Sequence, residues 1–196
     1  SFWVGRGWHD MARFQLRLGD LGGARRSLEA AVPALRATAL QQAYVGSALH
    51  TLGQVALAMG DPALALGWFQ RSIESFASEA LDNEDSVLLV RAWAALAQAH
   101  LGEAAPALAE LRRVTAVFKA SNFAGPYRVL GLLGEAQRLA GDFDAALATQ
   151  AEALALIGDD PALMSQRLPV QREIGLAEVE RGHFEAAIAA LEQALA

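Results

Sequence analysis

The sequence predicts an all-α protein of five antiparallel helix pairs, and three observations carry that expectation. Alanine fills 43 of the 196 positions; it is the best helix former and a poor strand former. Apolar residues recur at spacings of three and four, the stripe of an amphipathic helix. A glycine followed by a polar residue returns five times, as Gly19-Asp20, Gly60-Asp61, Gly102-Glu103, Gly141-Asp142 and Gly182-His183, at intervals of 41, 42, 39 and 41 residues. Two more columns keep step with it. Alanine stands five residues after each glycine (Ala24, Ala65, Ala107, Ala146, Ala187), and a small residue stands seven before it (Ala12, Gly53, Ala95, Gly134, Gly175). Three columns over five copies make this a true internal repeat.

The repeats are expected at about 5–45, 46–87, 88–126, 127–167 and 168–196, as one array over 1–196. In the first, residues 1–8 already read as helix, and Gly19 stops it. The second shows the physics best. Leu49, Leu52, Gly53 and Ala56 form the stripe of its first helix, Gly60 ends that helix, and Asp61 caps the next with Pro62 in its first turn. Ala65, Phe69, Ser72, Ile73 and Phe76 mark the buried face of the second helix. So short a turn joins antiparallel neighbours. Gly53 and Ala65 let the backbones approach, while Leu52 and Phe69 fill the volume between them. The third repeat is the poorest: either Ala94-Ala95 or Leu96-Ala97 is the internal pair, and the second choice shortens the turn before Gly102 by two residues. Leu35, Phe76, Phe118 and Ile157 extend the second helix of repeats one to four.

These residues resemble the tetratricopeptide repeat. Leu49, Leu52-Gly53, Ala56, Gly60-Asp61, Ala65, Phe69 and Ser72 match its pattern. So do Trp8, Met11-Ala12, Gly19-Asp20, Ala24, Leu28 and Ala31 in the first copy. The fourth matches through Leu130, Leu133-Gly134, Gly141-Asp142, Ala146 and Ala153, and the fifth through Ile174-Gly175, Gly182, Ala187, Leu191 and Ala194. The usual period is about 34 residues. The longer one here resembles kinesin light chains and the repeat regions of bacterial transcription activators and protein kinases. The resemblance implies a right-handed superhelical solenoid whose concave side is lined by the first helix of each pair.

The resemblance also implies a binding stripe on those first helices, for a protein or peptide. Its main residues here are Arg6, His9, Arg13 and Arg17 in repeat one, His50, Gln54 and Leu57 in repeat two, Leu96 in repeat three, Glu135 and Arg138 in repeat four, and Arg172 in repeat five. The groove is then basic at its start, neutral in the middle and mixed at the end. Arginines suit an acidic or C-terminal carboxylate segment, because their planar fork holds a carboxylate in two hydrogen bonds. The same arginines also read as an ordinary solvated helix face. The carboxylate clamp of chaperone-binding relatives needs asparagine with lysine, and this stripe has neither. Two further functions fit the fold: a small-ligand or signal-peptide sensor in a bacterial regulator, and a spacer that self-associates.

Composition excludes much else. The net charge is −6 and the pI about 5.2, against the basic face that non-specific nucleic-acid binding needs. Without cysteine there is no disulfide scaffold, cysteine nucleophile or thiolate metal site. Of sixteen basic residues only Lys119 is lysine, an arginine-rich balance that matches a GC-rich bacterial genome. The chain begins at Ser1 without a signal-peptide pattern and ends inside a helix; it reads as a cytoplasmic fragment of a longer protein, or one with an end-to-end contact to another copy. Residues 37–60 lack charged residues but contain Gln41, Gln42, Ser47, His50, Thr51 and Gln54, so they read as a neutral helix pair and not a membrane span.

Catalysis and cofactors find no support. His9, His50, His100 and His183 form no metal-binding helix motif, and no phosphate loop, nucleophile elbow or dinucleotide fingerprint occurs. Asp82, Asn83, Glu84 and Asp85 lack the alternating ligands of a calcium loop and read as an inter-repeat loop. Gly158, Asp159, Asp160 and Pro161 read as one helix ending and the next starting. Trp3, Trp8, Trp68 and Trp93 are expected to plug gaps between alanine-lined helices. The expectation is a non-enzymatic binding module without cofactor or metal.

Overall fold

Each turn glycine is the hinge of a helix pair. In the computed structural model, which describes residues 1–37, 42–78, 84–121, 123 and 125–195, Gly19, Gly60, Gly102, Gly141 and Gly182 all have φ between +78° and +87°. Side-chain-bearing residues avoid that left-handed region, and glycine enters it without penalty. The helix before the glycine ends two residues earlier every time. The elements are α1 (Phe2–Arg17), α2 (Leu21–Arg36), α3 (Gln42–Ala58), α4 (Pro62–Ala77), α5 (Glu84–His100), α6 (Ala104–Ala120), α7 (Pro126–Leu139), α8 (Phe143–Ile157), α9 (Met164–Glu180) and α10 (Phe184–Leu195). Among the described residues there is no strand. Asp20, Asp61 and Asp142 cap the following helix by accepting the N–H of Gly23, Leu64 and Ala145. The α5 turn keeps the common interval before Gly102, so the turn is not shortened and Ala95 is the packing residue of repeat three.

The chain forms two compact units, Ser1–Leu101 and Gly102–Ala196. In the first, α1 packs on α2, α3 on α4, and α2 and α4 each pack on the following helix. In the second, α7 packs on α8 and α9 on α10, with α6 on α7 and α8 on α9. The alanine column is buried throughout, from Ala24 to Ala187, and Leu35, Phe76, Phe118 and Ile157 are buried as well.

The small column works by contact. A Cβ built on Gly53 would lie 2.3 Å from the Phe69 ring, one on Gly134 would lie 2.5 Å from Gln150, and one on Gly175 would lie 2.7 Å from Leu191. A second close approach is absent from the sequence reading: Gly5 faces Leu35 and Gly46 faces Phe76, each with 2.8–3.0 Å to a built Cβ. The extended second helix therefore needs glycine in the first helix of repeats one and two. Ser72 ties the same pair of helices by donating to the Gly46 carbonyl at 2.7 Å.

Tryptophan placement needs correction. Trp68 and Trp93 are half-buried in the core of the first unit, whereas Trp3 and Trp8 are 72% and 44% exposed. The cause lies in the α1 surface. Val4, Trp8 and Met11 occupy the columns of Val45, Leu49 and Leu52 in α3; those three are buried, and their α1 counterparts are exposed. Of the acidic run, Asp82 and Asn83 lie outside the described residues, and Glu84 and Asp85 open α5; the side chain of Ala194 also lies outside them. No helix among the described residues is long and apolar enough to cross a membrane.

Candidate functional site

In the first unit the stripe is organised by one buried bond. His9 Nε2 lies 3.1 Å from the Thr51 hydroxyl, and that hydroxyl donates its single proton to the Ser47 carbonyl at 3.0 Å. Thr51 must therefore accept from His9, which assigns the imidazole N–H to Nε2. Burial, then the Arg13 charge, lowers the His9 pKa below its ordinary value, against a smaller opposing effect of Asp10. The ring is neutral at pH 7. His9 is thus a fastener between α1 and α3, not an open ligand-binding group.

That fastener ties α1 to α3. One and two turns further along α1, Arg13 and Arg17 occupy the repeat columns that Gln54 and Ala58 hold in α3. Arg13 and Arg17 are exposed, while Gln54 and Leu57 are half-buried. His50 sits among aromatic rings, with centroids 5.9 Å from Phe69 and 6.1 Å from Trp93. Arg6 lies above Tyr44 and Trp3, 5.8 and 5.9 Å from their centroids, and 3.9 Å from Asp10. Leu96 is fully buried; it serves the core, because α5 turns that residue toward its neighbours, and it lines no open surface.

In the second unit Glu135, Arg138 and Arg172 converge on a residue the sequence reading passed over. Glu173, 5% exposed, accepts from Arg138 Nε at 2.9 Å and from Arg172 at 3.0 Å. Arg138 also donates to Glu180 at 2.6 Å. Burial and the negative charge of Glu135 push the Glu173 pKa up, while Arg138 and Arg172 pull it down. The net direction is upward, since the carboxylate has left water. Arg138 and Arg172 already hold an internal carboxylate, so an acidic partner would have to displace it. A glutamate next to a predicted contact residue on a helix gave no periodic signal; only the crossing of α7 and α9 buries it.

A cavity of about 530 Å³ in the first unit was also missed. It lies between α2 and α4 over the C-terminal half of α3, on a side formed by second helices. Leu28, Val32, Leu52, Val55 and Trp68 make its apolar wall, and Arg25, Arg36 and Arg71 stand with Glu29 and Asp61 around it. Among the described residues no group of three or more His, Asp or Glu could hold a metal ion.

Neither a family model nor a curated protein matches the chain. Solved structures do. The chain is similar to a protein of Podosopora anserina with nearly identical TPR-like repeats of kinesin-light-chain type, at 22% identity and TM-score 0.58, over 96% of this chain and 92% of that one. It is similar to BtubC (BKLC) of P. vanneervenii at 17% identity and TM-score 0.61, over 93% and 75%. It is also similar to MamA of Desulfovibrio magneticus RS-1 at 16% identity and TM-score 0.50, over 98% and 93%. At these identities the likeness concerns the backbone, and it agrees with the glycine, alanine and small-residue columns found along the chain. The chain has the tetratricopeptide-like helical-repeat fold.

Proposed function

We propose that this helical repeat is a protein- or peptide-binding module, with the α1–α3 face of the first unit as its contact surface and no catalytic step of its own. The observation that supports this reading is the pair of exposed arginines, Arg13 and Arg17 on α1, with the half-buried Gln54 and Leu57 on α3, which His9 and Thr51 tie to α1. Arginines there hold an acidic side chain or a terminal carboxylate, while Leu57 and the His50–Trp93 cluster offer apolar contact. In the second unit Arg138 is paired with Glu173 and Glu180 and is largely covered, whereas Arg13 and Arg17 lie at the surface of α1. We read the module as a regulatory element of a bacterial cytoplasmic protein.

The test uses a panel of fluorescent acidic peptides, each with a free or an amidated C-terminus, titrated against the full chain. Arg13→Glu/Arg17→Glu is expected to weaken the peptides that bind by about tenfold or more, the scale of one or two charge-assisted hydrogen bonds. Arg26→Glu, on α2, is expected to leave them unchanged. Equal affinity in the double variant overturns the reading.

The uncovered face of α1 favours a second reading, contact with another helical repeat. Val4, Trp8 and Met11 repeat columns that bury elsewhere in the chain, and apolar patches of this kind mark contact sites. In that case Trp8→Glu/Met11→Glu shifts a concentration-dependent sedimentation coefficient to that of the monomer. A wild-type chain that sediments as a monomer at every concentration refutes self-association.

A further inference from the structure

The cavity between α2 and α4 has features that neither helix packing nor the peptide surface uses. Its wall is apolar and built from three helices, and its volume lies within the range of small-molecule sites, roughly 300–1,000 Å³. Ala56 and Pro33 line it and are too short to fill it. Five charged residues stand around this wall, and they do not cancel. Arg25 is engaged by Glu29 at 2.9 Å. Asp61 is committed as the cap of α4, accepting the Leu64 N–H at 2.9 Å. That leaves Arg36, in the last turn of α2, and Arg71, which stacks on Trp68 with its guanidinium carbon 5.0 Å from the ring centroid. Among the described residues no ion pair joins either to a carboxylate. Stacking leaves the edge of the Arg71 guanidinium free to donate. Both arginines end the stripe that their helix contributes to the cavity, Arg36 on α2 and Arg71 on α4.

We propose that this cavity binds a small amphiphilic carboxylate: an apolar body of roughly ten to twenty non-hydrogen atoms seated among Leu52, Val55 and Trp68, with its anionic group toward Arg36 and Arg71. A purely ionic ligand leaves the apolar wall unsatisfied, and a neutral hydrocarbon leaves the two arginines unused. A cationic amphiphile meets Arg36 and Arg71 with like charge. The site is separate from the α1–α3 face, so it stands or falls apart from the peptide reading.

Dodecanoate, kept below its micelle concentration, is the probe, titrated calorimetrically into the full chain with dodecylammonium as the opposite-charge control. One saturable site per chain is expected, with dodecylammonium weaker by about tenfold or more. Arg36→Gln/Arg71→Gln, at exposed positions, is expected to keep the wild-type circular dichroism and melting temperature yet weaken dodecanoate about tenfold. Arg13→Glu/Arg17→Glu is expected to leave dodecanoate binding unchanged. The proposal is overturned by the absence of saturable binding, by equal affinity for dodecylammonium, or by an unaltered affinity in Arg36→Gln/Arg71→Gln.

Discussion

Replacing Arg138 by Met is expected to cost about 3 kcal/mol or more of stability, because it strands a buried carboxylate. Glu173 is almost fully covered between α7 and α9, and its charge is balanced by Arg138 at 2.9 Å, with help from Arg172 at the surface. Glu135 adds like charge nearby. Without Arg138, Glu173 must either stay ionised in a poorly solvating site or take up a proton. Glu180 loses a partner as well. Urea unfolding measures the loss. Arg138→Met/Glu173→Gln should recover most of it, since removing the charge removes the desolvation problem along with the pairing. An Arg138→Met variant within about 1 kcal/mol of wild type would show that Glu173 is solvated in solution.

Gly53→Ala is the second large effect, and its sign opposes the simple helix scale. In an exposed helix interior alanine stabilises relative to glycine by up to about 1 kcal/mol. At Gly53 the new methyl would meet three atoms of the Phe69 ring at 2.3, 2.5 and 2.8 Å. Phe69 is itself fully buried, flanked by His50 and Trp93, so the ring has nowhere to move. Overpacking of this kind costs about 1–3 kcal/mol, and the expected net result is a loss near 2 kcal/mol. Gly67 supplies the contrast within the same helix pair. A Cβ there meets nothing within 4 Å, so Gly67→Ala should raise stability by a fraction of a kcal/mol up to about 1. Combining Gly53→Ala with Phe69→Leu should cost less than the sum of the two single changes, as a double-mutant cycle would measure. Additive losses would mean that Gly53 and Phe69 do not share this contact.

The helical repeat was readable from the residues because its determinants are local and periodic. A positive φ at Gly60, a cap at Asp61 and a buried methyl at Ala65 are each decided within a few residues of chain, and the copies reinforce one another. The repeat-three register was left open by the sequence, since Ala95 and Ala97 are equally small; the common interval before Gly102 settles it.

The binding stripe was less readable, for a reason that His9, Arg138 and Leu96 illustrate. Helical spacing selects a face, but it does not say what the neighbouring helix brings to it. Thr51, 42 residues away, turns His9 into a buried fastener. Glu173 and Glu180, 35 and 42 residues from Arg138, occupy its guanidinium. Leu96 is closed off by its own core.

By itself, then, the sequence determined the all-helical class, the five turns and the small-residue code by which paired helices approach. Those properties follow from backbone conformation and side-chain volume, which each residue carries with it. Only the tertiary structure decided which charges are buried. Burial and pairing belong to helices that meet across one repeat, and they leave Arg13 and Arg17 at the surface of α1 while closing Arg138 on Glu173. The cavity between α2 and α4 is likewise a property of three helices together: no one of Leu52, Arg36 or Arg71 marks it until their helices pack.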